Sequence, residues 1–374
     1  MTTRHALTAA AAAALLCTAA QASNAPQLPS LGLYDGVTGN TSSPTAWRFA
    51  PGQAFNGVVG ALDGVARLSY SNSAGNWACS GSLLAGGEYV LTAAHCADDF
   101  TAMTVNFGWF NGTAAVTRTV AVGTASVHPG WAGVNVSLDA GTDIAILKLS
   151  APVTGINGYN LSSTNDVGKN FLMAGYGTTS VGSSNIPTSW ADGNYGHYGY
   201  NTVDVDSQTF NATLDTYVAG WGYDASFFQG LTYMSDYDHA TGALANNTLA
   251  RVAAVTGNVW ASNSGLGTSE ALIAGGDSGG GDFVWSGSEW LLSGVHSWGW
   301  GGNNPCGAVG LAGCDIGTSN GSSYGDLSGS TAVVSHLAWI SSTINPVPEP
   351  GTWALLLAGL STVAGLAKRR QRRS

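Results

Sequence analysis

The sequence predicts an all-β fold, and three observations carry that prediction. Short segments alternate apolar and polar residues and are rich in Val, Ile, Leu and Thr. Gly, Asn and Ser turns break them at short intervals, and no heptad or solenoid-length repeat competes with that pattern. Such spacing suits an antiparallel sandwich or barrel. At 374 residues, with 44% hydrophobic and only 9% charged residues, the chain can bury a sizeable core as one large all-β domain or two smaller ones.

Residues 1–22 read as a secretory signal peptide. Arg4 and His5 form a basic start, Ala6 to Ala20 an apolar run too short to span a membrane, and Ala20-Gln21-Ala22 a small-residue cleavage site. Cys17 would leave with this segment. The cysteines that remain, Cys79, Cys96, Cys306 and Cys314, fit two disulfides in an exported chain, with three pairings open. Residues 23–57 are rich in Pro, Gly, Asn and Ser without periodicity and read as a propeptide or a loosely packed N-terminal extension.

Strand patterning then occupies residues 64–70, 79–92, 103–109, 114–122, 142–150 and 170–177. Between 178 and 264 the chain turns Tyr-, Asn-, Asp- and Gly-rich. Strands are expected there at Asn201 to Asp206 and Leu249 to Val255, with enlarged surface loops between them. Tyr195, Tyr198, Tyr200, Trp221, Tyr223, Phe227 and Phe228 either line a recognition surface or cover the sheet as packing. Asp236 and Asp238 offer carboxylates for Ca²⁺ but lack a regular ligand spacing. Trp290 to Gly299 reads as one strand, and Thr331 to Ile344 has apolar residues at helical spacing.

The tail differs in kind. A Pro346-Val347-Pro348-Glu349-Pro350-Gly351 breaker precedes an apolar stretch, Trp353 to Ala367, and then Lys368-Arg369-Arg370-Gln371-Arg372-Arg373. As a helix that stretch falls short of the ~30 Å hydrocarbon core, a marginal span with a basic end. The formal net charge is −10, and removing 1–22 and 347 onward deepens it. Lys148, Lys169, Arg48, Arg67, Arg118 and Arg251 then face 21 acidic residues (22 less Glu349), a balance of −15. Without a basic face, a nucleic-acid partner is excluded.

Chemistry concentrates in Gly275-Gly276-Asp277-Ser278-Gly279-Gly280-Gly281. A serine nucleophile needs a base on one side and donors for a developing oxyanion on the other, and flanking glycines allow the tight turn and close approach this requires. Alone, the string is equally a flexible Gly/Ser loop. Two further segments alter that reading: Leu91-Thr92-Ala93-Ala94-His95-Cys96, and Gly141-Thr142-Asp143-Ile144-Ala145-Ile146-Leu147 at the mouth of a β-branched strand. His, Asp and Ser thus occur in that order, each beside local structure able to present it.

These three segments resemble the TAAHC, DIAL and GDSGG motifs of the trypsin/chymotrypsin-like serine proteases. The resemblance implies a double antiparallel β-barrel, with barrels at about 58–165 and 166–345 of a 58–345 protease domain and a C-terminal helix. It implies His95, Asp143 and Ser278 as triad, the Gly276 and Ser278 N–H groups as oxyanion hole, and Cys79 paired with Cys96. Cys306 with Cys314 follows by default, and no metal or organic cofactor is implied. Ser297-Trp298-Gly299 resembles the family's substrate-pairing strand and pocket wall. Leu272, six residues before Ser278, stands where trypsin-type members carry an aspartate, so the pocket floor is expected to be apolar and to prefer apolar or small residues over basic ones. Gly281 replaces the usual proline, and no cysteine precedes the motif. Val58-Val59-Gly60 faintly resembles the family's mature start, which would make Asp277 the partner of a new N-terminus.

The tail, 346–374, resembles a PEP-CTERM sorting signal. That implies export to the cell envelope or exterior of a Gram-negative bacterium, an exosortase-type sorting machinery as partner, and transient membrane association through the helix, with a permanent anchor as the other reading. The function implied is a secreted serine endopeptidase acting on protein or peptide substrates. Its rival is a non-catalytic surface or matrix adhesion protein on the same scaffold. The other histidines, His128, His197, His239, His296 and His336, lack motif context and read as structural or surface residues.

Overall fold

The computed structural model describes residues 38–39, 44–183, 192–221, 227–258, 260, 265–317 and 322–345. The signal segment, Cys17, Tyr223 and the sorting tail with its apolar stretch lie outside them. Among the described residues no helix is long and apolar enough to cross a membrane. The chain divides into two compact units, residues 1–336 and 337–374.

The first unit is mostly β. Strand β1 covers Arg48–Phe49, β2 Val65–Asn72, β3 Gly75–Leu83, β4 Tyr89–Thr92, β5 Ala102–Phe107, β6 Val116–Val120, β7 Ser126–Val127 and β8 Ala145–Lys148. Strands β2 to β8 form one antiparallel sheet in the order β7-β8-β4-β3-β2-β5-β6. An antiparallel bridge between Val120, which ends β6, and Leu149, just past β8, curls that sheet back on itself. Leu68, Leu83, Val90, Leu91, Val105, Phe107, Ile146 and Leu147 are each at most 1% exposed; because neighbours along a strand face opposite ways, the adjacent pairs in β4 and β8 show that those two strands are covered on both faces.

The second sheet uses β9 Asn170–Gly175, β10 Gly196–Thr202, β11 Val205–Asp206, β12 Thr232–Asp236, β13 Gly281–Trp285, β14 Trp290–Trp300 and β15 Leu327–Ala332. Its order is β11-β12-β15-β14-β13-β9-β10-β1, again antiparallel throughout. Because β10 runs almost directly into β11 at the opposite edge, this sheet is curled too. The architecture is the double antiparallel barrel of the chymotrypsin type.

Two expectations for the N-terminal half need correction. The 79–92 pattern is a hairpin of β3 and β4, broken at Gly86-Gly87, rather than one run. Residues 44–57 are not loosely packed. Trp47, Phe49 and Phe55 are 6%, 3% and 6% exposed, β1 is an edge strand of the second sheet, and Arg48 Nε donates to Asp192 Oδ2 at 2.7 Å. Aromatic anchors at turn-rich spacing gave no periodic signal, so burial here was invisible to pattern reading.

In the 178–264 region, Leu249 to Val255 forms a helix, not a strand. Helix α1 spans Ser207–Tyr217 and α2 Thr248–Thr256. Asn247 caps α2 by accepting from Ala250 N at 2.8 Å, and Gly257 ends it with φ +72°. Leu249, Val252 and Ala253 bury one face, a spacing of three and four that short β-branched runs disguise. The described aromatics of this region pack: Tyr198 meets Phe55 at 4.8 Å between ring centroids, and Trp221 Nε1 donates to Asn211 Oδ1 at 2.9 Å.

The helix expected over Thr331 to Ile344 begins later. Thr331 and Ala332 end β15, a 3₁₀ turn covers Val333–His336, and helix α3, Leu337–Ile344, belongs to the second unit. Within α3, Thr343 Oγ1 donates to Trp339 O at 2.8 Å.

Candidate active site

The first sheet delivers two of the proposed triad side chains. His95 sits in a 3₁₀ turn, Ala94–Cys96, where β4 ends, and Asp143 precedes β8, the strand paired beside β4. His95 Nδ1 lies 2.7 Å from Asp143 Oδ2, and His95 N donates to Asp143 Oδ1 at 3.0 Å. A third donor, Ser297 Oγ, reaches Asp143 Oδ2 at 2.6 Å. Ser297 occupies the register shift of β14 between His296 and Trp298, so a bulge turns its hydroxyl out of the ladder and towards the carboxylate. Asp143 is fully buried, and its three bonds fix the imidazole with the proton on Nδ1, leaving Nε2 as the basic nitrogen.

Burial alone would lower the His95 pKa. The Asp143 charge and hydrogen bond, followed by Asp98, outweigh it and raise it above the ordinary imidazole value. Asp98 is itself held by Trp131 Nε1 at 2.8 Å.

The second sheet presents Ser278 just ahead of β13. Its carbonyl accepts from Ser80 N at 2.8 Å and lies 3.7 Å from Cys96 Sγ, so the nucleophile loop rests against the residue next to His95. The disulfide Cys79–Cys96 ties that turn to β3, and Cys306–Cys314 closes a local loop. Gly276 and Gly279 take φ of +97° and +81°, as a tight turn around the serine demands. Neither Gly276 N nor Ser278 N donates to an acceptor among the described residues, which leaves both amides available to a ligand. No hydrogen bond joins Ser278 Oγ to His95 Nε2 among the described residues, a contact that such sites often tighten only with substrate bound.

In the uncut chain main-chain amides hold Asp277. Gly177 N donates to its Oδ1 at 2.9 Å and Ala274 N to its Oδ2 at 3.0 Å. Val58 and Val59 pair with Phe55 and Ala54 in a hairpin, with Val59 72% exposed.

A cavity opens beside Ser278. Leu272, Ser297, Trp298 and Gly299 line it, as the sequence reading places them, together with Ile273, Gly301 and Asp326. The expected apolar floor is therefore incomplete: a carboxyl from the start of β15 enters the lining. Asp326 follows Leu272 by 54 residues and carries no motif, so only the fold brings it there. His296 was also missed, because a histidine inside an apolar strand has no local signature of function.

Among the described residues, the His, Cys, Asp and Glu ligand atoms that converge as a metal site would are those of Cys79, His95 and Cys96. Their two sulfurs are bonded to each other, so the group offers no thiolate. Asp236 and Asp238 join no such convergence.

Comparison with known proteins adds the following. Residues 59–206 match the trypsin family, a stretch that contains His95 and Asp143 and stops short of Ser278; residues 346–373 match the PEP-CTERM protein-sorting motif. Among solved structures, HL collagenase is 18% identical and aligns with a TM-score of 0.49 over 80% of this chain and 98% of its own. The protease Anisep from Arthrobacter nicotinovorans is 15% identical, with a TM-score of 0.40 over 72% of this chain and 90% of its own.

Proposed function

With residues 59–206 a trypsin domain and residues 346–373 a PEP-CTERM sorting motif, we propose that the protein is an exported serine endopeptidase of the cell envelope. Ser278 Oγ attacks the scissile carbonyl while His95 Nε2 takes its proton. The same proton then passes to the leaving amine, and water repeats the sequence on the acyl-enzyme. Asp143 holds the tautomer and stabilises the imidazolium. The N–H groups of Gly276 and Ser278 receive the oxyanion, each contributing ~3 kcal/mol or more to the transition state.

One observation carries this reading: Asp143, fully buried, accepts from His95 Nδ1 at 2.7 Å and from Ser297 at 2.6 Å. A core histidine needs no such tripled anchoring. The preference for apolar or small P1 side chains is part of this reading, supported by Leu272, Ile273 and Trp298 in the lining of the cavity beside Ser278, which Asp326 shares.

The sorting motif and the signal-like residues 1–22 support export to the envelope of a Gram-negative bacterium, handling by exosortase-type machinery and transient membrane contact through the tail. A fluorophosphonate probe tests the chemistry. Labelling of the wild type that vanishes in Ser278→Ala is expected; labelling that persists in the variant, or never occurs in processed wild type, would favour a non-catalytic adhesion scaffold.

A further inference from the structure

We propose that residues 38–57, which precede the stretch matched to the trypsin family, form a strap kept in the working enzyme, whose Trp47 and Phe49 position the pocket strand and the nucleophile loop from behind. The inference rests on the peptidase reading and reverses the sense of a cut at Val58: losing the strap would disable the site instead of maturing it.

Trp47 is 6% exposed and packs in one core cluster with Phe171, Met173, Tyr233, Ala271 and Ile273. Ala271 and Leu272 form a two-residue strand, and Leu272 and Ile273 line the cavity beside Ser278. The strap meets that strand a second time, through antiparallel pairing of Thr38 and Gly39 with Leu272 and Ala271. From β10, Asn201 Nδ2 donates to Ala271 O at 2.9 Å. A strand of two residues is too short to fix itself, so its place is set by what packs behind it and pairs beside it. Phe49 serves the nucleophile loop. Its ring centroid lies 5.6 Å from that of Tyr176, and Tyr176 precedes Gly177, whose N–H donates to Asp277 Oδ1 at 2.9 Å. A Cβ on Gly196 would lie 2.4 Å from Phe49 Cζ and 2.8 Å from Tyr176 Cε1, so only a glycine lets both rings close over β10.

A charge network that no catalytic step uses anchors the strap. Arg48 Nε donates to Asp192 Oδ2 at 2.7 Å, its Nη2 donates to Asp192 Oδ1, and His197 Nε2 lies 2.7 Å from Asp192 Oδ2. The guanidinium carbon stands 3.7 Å from the centroid of the Tyr195 ring. Burial alone would raise the Asp192 carboxyl, but the hydrogen bonds from His197 and Arg48 outweigh it and hold the pKa at about 2. A bidentate pair of this kind fixes position as well as charge. The far end of the strap is held too. Trp290 Nε1 donates to Phe55 O at 3.1 Å, and Gly52 N donates to Asp63 Oδ1 at 2.9 Å. Discarding the segment would open the core behind Ala271 and Ile273 and leave Asp192 without Arg48.

Two measurements on the full-length protein separate this proposal from the peptidase reading. The first is hydrogen exchange, which needs no catalysis. In Trp47→Ala the amides of residues 270–278 should exchange ~10-fold faster or more, while those of β2, β3 and β5 in the first sheet keep their rates. Trp47→Phe, which returns an aromatic ring to the same space, should restore most of the protection. Unchanged exchange at 270–278, or equal acceleration in both sheets, overturns the positioning role. If Trp47→Ala fails to fold, Arg48→Met is read by the same criteria. The second measurement finds the first residue of the fluorophosphonate-labelled protein. Labelled chains that still contain Trp47 are expected, with labelling ~10²-fold slower in Trp47→Ala. Labelled chains that have lost Trp47 overturn the proposal while leaving the peptidase reading intact. Faster exchange confined to 270–278 in a protein that never labels would do the opposite.

Discussion

His296 Nε2 lies 2.8 Å from Asp282 Oδ1, with both side chains buried beneath the nucleophile loop. The other ring nitrogen, Nδ1, faces the Asp277 carbonyl at 3.2 Å. Both partners only accept, so the ring donates twice and is an imidazolium. Burial opposes that charge, but the charge and hydrogen bond of Asp282, followed by Asp277, outweigh it and raise the pKa. A raised folded value stabilises the fold fully below pH ~6.5, the ordinary imidazole value, and the contribution is lost as pH rises through the folded one.

Replacing His296 by Leu strands the Asp282 carboxylate in the core. A loss of about 3–5 kcal/mol is expected in urea unfolding at pH 6, because an uncompensated buried charge remains. Adding Asp282→Leu should recover part of it. A single substitution that unfolds no earlier than wild type would contradict the ion pair.

Asp277 has both oxygens capped by main-chain amides, and the imidazolium of His296 lies against its carbonyl. The loop carrying Ser278 is therefore braced by internal groups, with no demand for a freed amine at Val58. Protein beginning at Ser23 should react with fluorophosphonate without further cutting. N-terminal sequencing of the labelled species checks this; label found only in chains cut between Ser23 and Ala66 would restore the zymogen scheme that the sequence suggested.

His95 must be neutral to act as base, and Asp143 raises its pKa above the free value despite burial. The acid limb of kcat/KM should accordingly lie above pH ~6.5. Ser297→Ala removes one of three donors to Asp143 without touching the reacting atoms. Charged hydrogen bonds of this sort are worth ~1.5–3 kcal/mol, so kcat should fall ~10-fold or more with KM little changed, and the acid limb should move further up as Asp143 loses a competing donor. An unmoved limb with an unchanged kcat would remove Ser297 from the positioning role.

The fold was legible where alternation and turns coincide, as in β2, β5, β8 and β9, and the candidate site where three motifs agree. Failures have particular causes. Thr248–Thr256 looked extended because Val and Thr favour strands, while Asn247 and Gly257 as caps outweighed them. Trp47, Phe49 and Phe55 are buried by long-range contacts that no local period encodes. Asp326 lines the cavity beside Ser278 and His296 pairs with Asp282 beneath the loop only through folding, so neither could be singled out from neighbours in sequence.

Gly279→Ala tests how closely the two sheets must approach for Ser278 to be in place. At φ +81° an added Cβ would lie 2.0 Å from Thr92 Oγ1 and 2.4 Å from Ser80 O, on the very strands that lead into His95. The methyl can be accommodated only if the nucleophile loop retreats from β3 and β4, and a displacement near 1 Å costs ~10²-fold in rate. Gly287→Ala is the matched control. Its φ is +103°, yet nothing lies within 4 Å of the new Cβ, so it shares the backbone penalty without the clash. Both variants should lose stability by about 1–2 kcal/mol from the left-handed conformation, while only Gly279→Ala should lose kcat/KM by ~10²-fold. Equal activity in the two variants would mean that loop position, as opposed to backbone strain, does not govern the reaction.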